Sequence, residues 1–134
     1  GQTMITPIAT ELPRSKAPLE WAVSANGILF TAQIPIDASG QVVAGGIEAQ
    51  ARQTMENLKH TVECAGGGMA SLTQALIYVT EREHLGTVNQ VYAEYVGEPY
   101  PNRAAIIVSG FARAEMLIEI VAYAAVNERG GQVP

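Results

Sequence analysis

The stretch "WAVSANGILFTAQIPI", residues 21–36, sets two β-prone runs on either side of the dipeptide Asn26-Gly27. Asn-Gly suits a two-residue hairpin turn because both central positions need left-handed backbone, which asparagine tolerates and glycine adopts freely. The reading is a hairpin with strands near 20–25 and 28–35. A hairpin buries one face only, so the remainder of the chain must supply a layer to cover it.

Outward from that hairpin the elements alternate. Upstream, "TMITPIAT" is β-prone but broken by Pro7, which restricts it to an edge strand or an irregular arm. Downstream, "DASGQVVAGG" has loop chemistry. From Ile47 to Ala65 the apolar residues Ile47, Ala51, Met55, Leu58 and Val62 fall at helical spacing, and "AGGG" ends that helix. "SLTQALIYVT" reads as a strand. "EREHLGTVNQVYAEYVG" reads as a second helix with Leu85, Val88, Tyr92 and Tyr95 on one side and Gly97 closing it. "NRAAIIVS" and "MLIEIVAYAAV" are the last strands, before a short Gly-rich tail. The order is that of one α+β domain over 1–134, with its core at about 17–126 and two helices covering one face of a mixed sheet.

Alternation along the last strand separates the two faces. Ile118, Ile120, Ala122 and Ala124 are small or apolar enough to lie under helices. Leu117, Glu119, Val121 and Tyr123 point the other way. That mixture of carboxylate, phenol and aliphatic groups suits an oligomer interface, or a pocket built at one.

Composition narrows the function. With 13 acidic against 8 basic residues the net charge is −5, which repels phosphate backbones, so nucleic acid is not an expected partner. No apolar run approaches the length of a membrane span, and no basic segment precedes one at the N-terminus, so neither a membrane nor a signal peptide is expected. One cysteine, Cys64, fits a reducing, cytoplasmic setting and a small buried thiol. His60 and His84 have no ligand-spaced companions, so no metal site is expected. A mean hydropathy of +0.12 points to apolar surface covered by other copies of the chain.

No nucleophile elbow, phosphate loop or dinucleotide fingerprint occurs, so a site must be assembled from separate polar residues. In "YPNRAAIIVSG" Arg103 opens an apolar strand two residues after Pro101. It is either a solvated strand end or a planar fork for a carboxylate. Glu119 is either a general base or the partner of a cation. Tyr123 could donate a hydrogen bond or only pack, and Thr31 offers a hydroxyl in a β-prone run.

Four stretches, "ILFTAQIPID", "GIEAQARQTMENLKHTVECAGG", "TVNQVYAEYVGEPYPNRAAIIV" and "LIEIVAYA", resemble the RidA (YjgF) family of reactive-intermediate deaminases in order and spacing. The resemblance runs from about Ala17 to Ala125, and its most specific piece is "VNxxYxEY" followed by "PxR". It implies a chorismate-mutase-like fold of six strands and two helices, assembled as a homotrimer around a central barrel with clefts between protomers. It also implies hydrolysis of enamine and imine intermediates, such as 2-aminoacrylate and 2-imino acids, to 2-keto acids and ammonia without cofactor or metal. Arg103 takes the place of the arginine that grips the substrate carboxylate, with Thr31 and the Ala105 backbone amide as further hydrogen-bonding groups.

Three positions depart from the family pattern. Val121 stands where a second glutamate is common, which leaves Glu119 as the nearest carboxylate on that face, with Tyr123 beside it as a candidate helper. Leu19 replaces the tyrosine of a "GPY" segment, and Thr31 replaces the serine of "SGQ". With Trp21 nearby, Leu19 implies a more apolar pocket. A branch with 3-aminoacrylate deaminases also lacks the second glutamate. A non-catalytic binder or sensor of small carboxylates is the alternative, and the ribonuclease activity ascribed to some relatives is disfavoured by the acidic charge.

Overall fold

The computed structural model describes residues 4–126. The tail expected at 127–134 lies outside the described residues. Strands β1 (Thr6–Pro7), β2 (Ala22–Ala25), β3 (Ile28–Gln33), β4 (Leu72–Val79), β5 (Asn102–Ile107) and β6 (Ile118–Ala125) form one sheet in the order β1-β2-β3-β6-β4-β5. All pairs are antiparallel except β4 with β5, whose parallel alignment requires the crossover that helix α2 (Leu85–Tyr95) provides. Helix α1 (Gly46–Cys64) connects β3 to β4.

The hairpin is as expected: Asn26 and Gly27 have φ of 52° and 77°, and Ala25 pairs with Ile28. Pro7 lies on the two-residue edge strand. Helix α1 stops at Gly66, whose φ of +86° lets its N–H reach Glu63 O and the Gly67 N–H reach Val62 O. The second helix is shorter than expected. Residues Arg82–His84 form a 3-10 turn first, and Val96 leaves the helix in extended backbone, so Gly97 makes no left-handed cap. The last strand begins two residues late, because the Leu117 N–H is taken by the Gln50 side chain.

Ile118, Ile120, Ala122 and Ala124 are fully buried and meet Leu29, Ala75, Ile77 and Val79 beneath the helices. Ala51, Met55, Leu58 and Val62 of α1 cover them, joined by Val88, Val91 and Tyr92 of α2. A polar stripe accompanies that apolar one. Gln50, Thr54, Asn57 and Thr61, spaced four, three and four residues apart, are all buried on α1. The side chains of Gln50, Asn57 and Thr61 serve strand ends, while Thr54 bonds within the helix. Gln50 donates to Glu115 O and accepts from Leu117 N, while Asn57 donates to both Ile34 O and Ile36 O. Gln33 reaches Thr61 Oγ1 at 3.0 Å. One helix thus fixes the two chain segments, 34–36 and 115–117, that border the open face.

Candidate functional site

Strand alternation carries Arg103 and Glu119 to opposite faces. Arg103 pairs with Ala75, a helix-side position, whereas Glu119 pairs with Tyr78 on the open side. Because β5 is the sheet edge, the Arg103 side chain is exposed beside α2 instead of buried beneath it. There its Nη2 donates to Asn89 Oδ1 at 2.8 Å, and its guanidinium sits 4.9 Å from the Tyr92 ring centre. Asn89 and Tyr92 are three apart on α2, so they present one surface to β5. Both lie in the "VNxxYxEY" motif, which sequence reasoning used without giving either a role. A cavity of about 300 Å³ opens here, between Arg103, Asn89, Tyr92, Val96, Tyr100 and Pro101. Ala105 follows on the same side of the exposed edge strand.

The phenol of Tyr92 is buried without a hydrogen-bond partner, and burial pushes its pKa up while the Arg103 charge pulls it back. Only the ring supports Arg103. Tyr92→Phe is therefore expected to keep ligand affinity and to hold or raise stability by up to ~1 kcal/mol, since an unpaired buried hydroxyl is removed. Tyr92→Leu is expected to weaken carboxylate binding roughly fivefold by removing the cation–π support. Thermal midpoints and titration with 2-oxobutanoate check both.

Glu119 lines a different cavity, of about 400 Å³, on the open side of the sheet. Leu19 and Trp21 are there with it, as are Ala32, Ile34, Met116 and Arg113. The Trp21 ring is pinned by its Nε1–H, which donates to Pro13 O at 2.8 Å and leaves the flat apolar surface as a wall. Glu119 makes no ion pair or hydrogen bond to another side chain among the described residues, and burial alone raises its pKa. A carboxyl raised in the folded state stabilises fully below its unfolded pKa and loses that contribution as pH rises through the folded value. Glu119→Gln is expected to raise stability at pH 7 by less than ~1 kcal/mol, discounted for its partial exposure, with no gain near pH 4. Thermal melts at the two pH values test it; an equal gain at both would assign the effect to packing.

Two further expected members of the site do not line that cavity. Thr31 faces the helices at 6% exposure. Its hydroxyl donates to Trp21 O at 2.6 Å and accepts from Gln33 Nε2, so it holds the fold and is not turned toward the Glu119 cavity. This placement follows from alternation, since buried Leu29 puts Thr31 and Gln33 on its own side. Tyr123 is on the open face but packs edge-on against Phe30, with ring centres 5.4 Å apart, and does not line the cavity with Glu119. Cys64 is partly exposed 3.6 Å from His60, and burial pushes its thiol up, away from the reactive thiolate.

A six-stranded mixed sheet, two helices on one face and a cavity on each side define a two-layer α+β protein with an open sheet face. The chain belongs to the RidA/YjgF/RutC family: the family profile described as Endoribonuclease L-PSP matches residues 10–126. A RutC family protein of Pyrococcus horikoshii is 40% identical over 114 residues, 84% of this chain and 90% of that one. The Rid family protein YyfA of Yersinia pestis has a solved structure that superposes with a TM-score of 0.86 at 32% identity, covering 91% of this chain and 99% of its own. The structure of TdcF of E. coli with bound serine superposes at 0.82 with 26% identity, covering 91% and 99%.

Proposed function

We propose that the protein hydrolyses reactive 2-imino acids and their enamine tautomers to 2-keto acids and ammonia, as a 2-iminobutanoate/2-iminopropanoate deaminase-like enzyme without cofactor or metal. The observation that carries this reading is the Arg103 fork, held by Asn89 and Tyr92 at the mouth of a cavity with N–H groups left to engage a carboxylate. TdcF of E. coli holds serine, an amino acid whose carboxylate has the chemistry that such a fork recognises. Arg103 and Glu119 face opposite ways in one chain, so a site that uses both draws them from two copies. An open face carrying Phe30, Leu76, Val121 and Tyr123, with no helix over it among the described residues, supports assembly of copies there, and a homotrimer with clefts between protomers meets both demands.

In that cleft Arg103 fixes the carboxylate, which orients the adjacent imine carbon toward a water. Glu119, made more basic by burial, accepts a proton as the water oxygen bonds to that carbon. It returns that proton to the nitrogen, giving a carbinolamine; the carbinol O–H proton then passes through the same carboxylate to the nitrogen as C=O forms and the C–N bond breaks, so ammonia leaves with the keto acid behind. Leu19 and Trp21 form the side-chain wall. The Ala105 amide follows Arg103 on the edge strand as an additional donor to the ligand.

Aliphatic Val121, opposite Leu76 and Ala32, favours a second reading: a binder or sensor of small carboxylates that lacks the second carboxylate for proton transfer. A 3-aminoacrylate-type deaminase fits the same substitution. An amino-acid oxidase that generates 2-imino acids, with semicarbazide trapping what remains, separates the readings. Faster loss of imine in the presence of the protein supports the hydrolase. Saturable binding of 2-oxobutanoate without any acceleration supports the binder.

A further inference from the structure

Beside the Glu119 cavity lies another, of about 320 Å³, with a different lining. Arg14, Lys16 and Arg113 line it with the hydroxyl-bearing Ser15 and Ser39, and no carboxylate residue lines it. In a chain with 8 basic residues against 13 acidic ones, three cations at one small concavity run against the overall charge. Such a cluster is repulsive when empty and is relieved by an anion.

Neutralisation inside the protein is slight. Arg14, largely exposed, forms a long ion pair at 4.0 Å with Glu20, which lines the neighbouring Glu119 cavity, and Arg113 makes no ion pair among the described residues. Arg113 spends one N–H on Gly40 O at 2.7 Å, which ties it to a loop already ordered by Asp37, whose carboxylate accepts from Ser39 and Gln41. The wall is therefore preorganised. Three cations in a pit do not make the extended track that a nucleic-acid backbone needs, so the ligand is a small anion.

The two cavities adjoin, with Ser15, Ala17, Trp21 and Arg113 lining both. A ligand with one end at Glu119 would pass the pinned face of Trp21 and reach the cations with its other end. We infer that this basic pocket binds a second, distal anionic group, so that the ligand is an imino or enamino acid with a carboxylate or phosphate at its far end. The inference rests on the imino-acid reading for the identity of the reacting end, and on the pocket alone for the distal anion.

Trp21 is the chain's one tryptophan and lines both cavities, so its fluorescence reports locally. Titration with stable 2-oxo acids is expected to show 2-oxoglutarate or 3-phosphooxypyruvate binding at least roughly tenfold more tightly than 2-oxobutanoate. The tighter of the two identifies the distal group as carboxylate or phosphate. Arg14→Gln/Lys16→Gln is expected to remove most of that advantage and leave 2-oxobutanoate binding unchanged, and Arg113→Lys is expected to keep more of it than Arg113→Gln. Equal affinities for all three acids, or an advantage that survives the double substitution, would overturn the pocket. Succinate and inorganic phosphate separate this failure from that of the parent reading. Trp21 quenching by either, lost in the double variant, supports the basic pocket even when no 2-imino acid is hydrolysed. No quenching by these anions or by the distal acids overturns it even in an active deaminase.

Discussion

Arg103→Ala is expected to lower kcat/KM on 2-imino acids by roughly 10²- to 10³-fold, and to weaken 2-oxobutanoate binding by a similar factor, without altering the fold. A hydrogen bond to a charged partner contributes about 1.5–3 kcal/mol, and a fork that makes two of them stands to lose about 3–4 kcal/mol. The fold is insulated because Arg103 is exposed on an edge strand, where its side chain bonds Asn89 and stacks on Tyr92 at the surface. Arg103→Lys retains the charge without the planar fork, so it should recover part of the binding and little of the orientation. That pattern appears as a smaller loss in KM than in kcat. Activity within threefold of the parent in the alanine variant would remove Arg103 from the site and with it the proposed chemistry.

Legibility in the sequence followed the range of the physics involved. The hairpin could be read because the left-handed turn is a demand of two adjacent residues, Asn26 and Gly27. The buried side of β6 could be read because alternation is a property of one strand. The same rule applied to β3 places Thr31 on the covered side with Leu29. The opposite facing of Arg103 and Glu119 was not readable, since it depends on the register of β5 against β4 and of β4 against β6. Segment 11–20 forms no strand or helix, and periodicity says nothing of how it lines both open-side cavities. Asn89 and Tyr92 were present in the motif that identified the family, but only the neighbouring strand shows that they hold Arg103.

The buried polar stripe on α1 escaped for a related reason, and it carries the largest expected effect on stability. Asn57→Leu is expected to destabilise the protein by ~2–4 kcal/mol, a fall in thermal midpoint of about 10 °C. Asn57 Nδ2 donates at 3.0 and 2.9 Å to Ile34 O and Ile36 O, and leucine of similar volume leaves both carbonyls without that donor. Thr54→Val is the comparison from the same stripe. Its hydroxyl donates only to Gln50 O within the helix, so its loss should cost about 1 kcal/mol or less. The two variants also separate packing from positioning: Ile34 borders the Glu119 cavity, so Asn57→Leu should weaken ligand binding at temperatures where the protein is still fully folded. Equal destabilisation by both would mean that the stripe acts through helix packing, with no particular hold on the 34–36 segment. A larger loss in Asn57→Leu, accompanied by weaker binding, would make α1 the element that sets the geometry of the cleft.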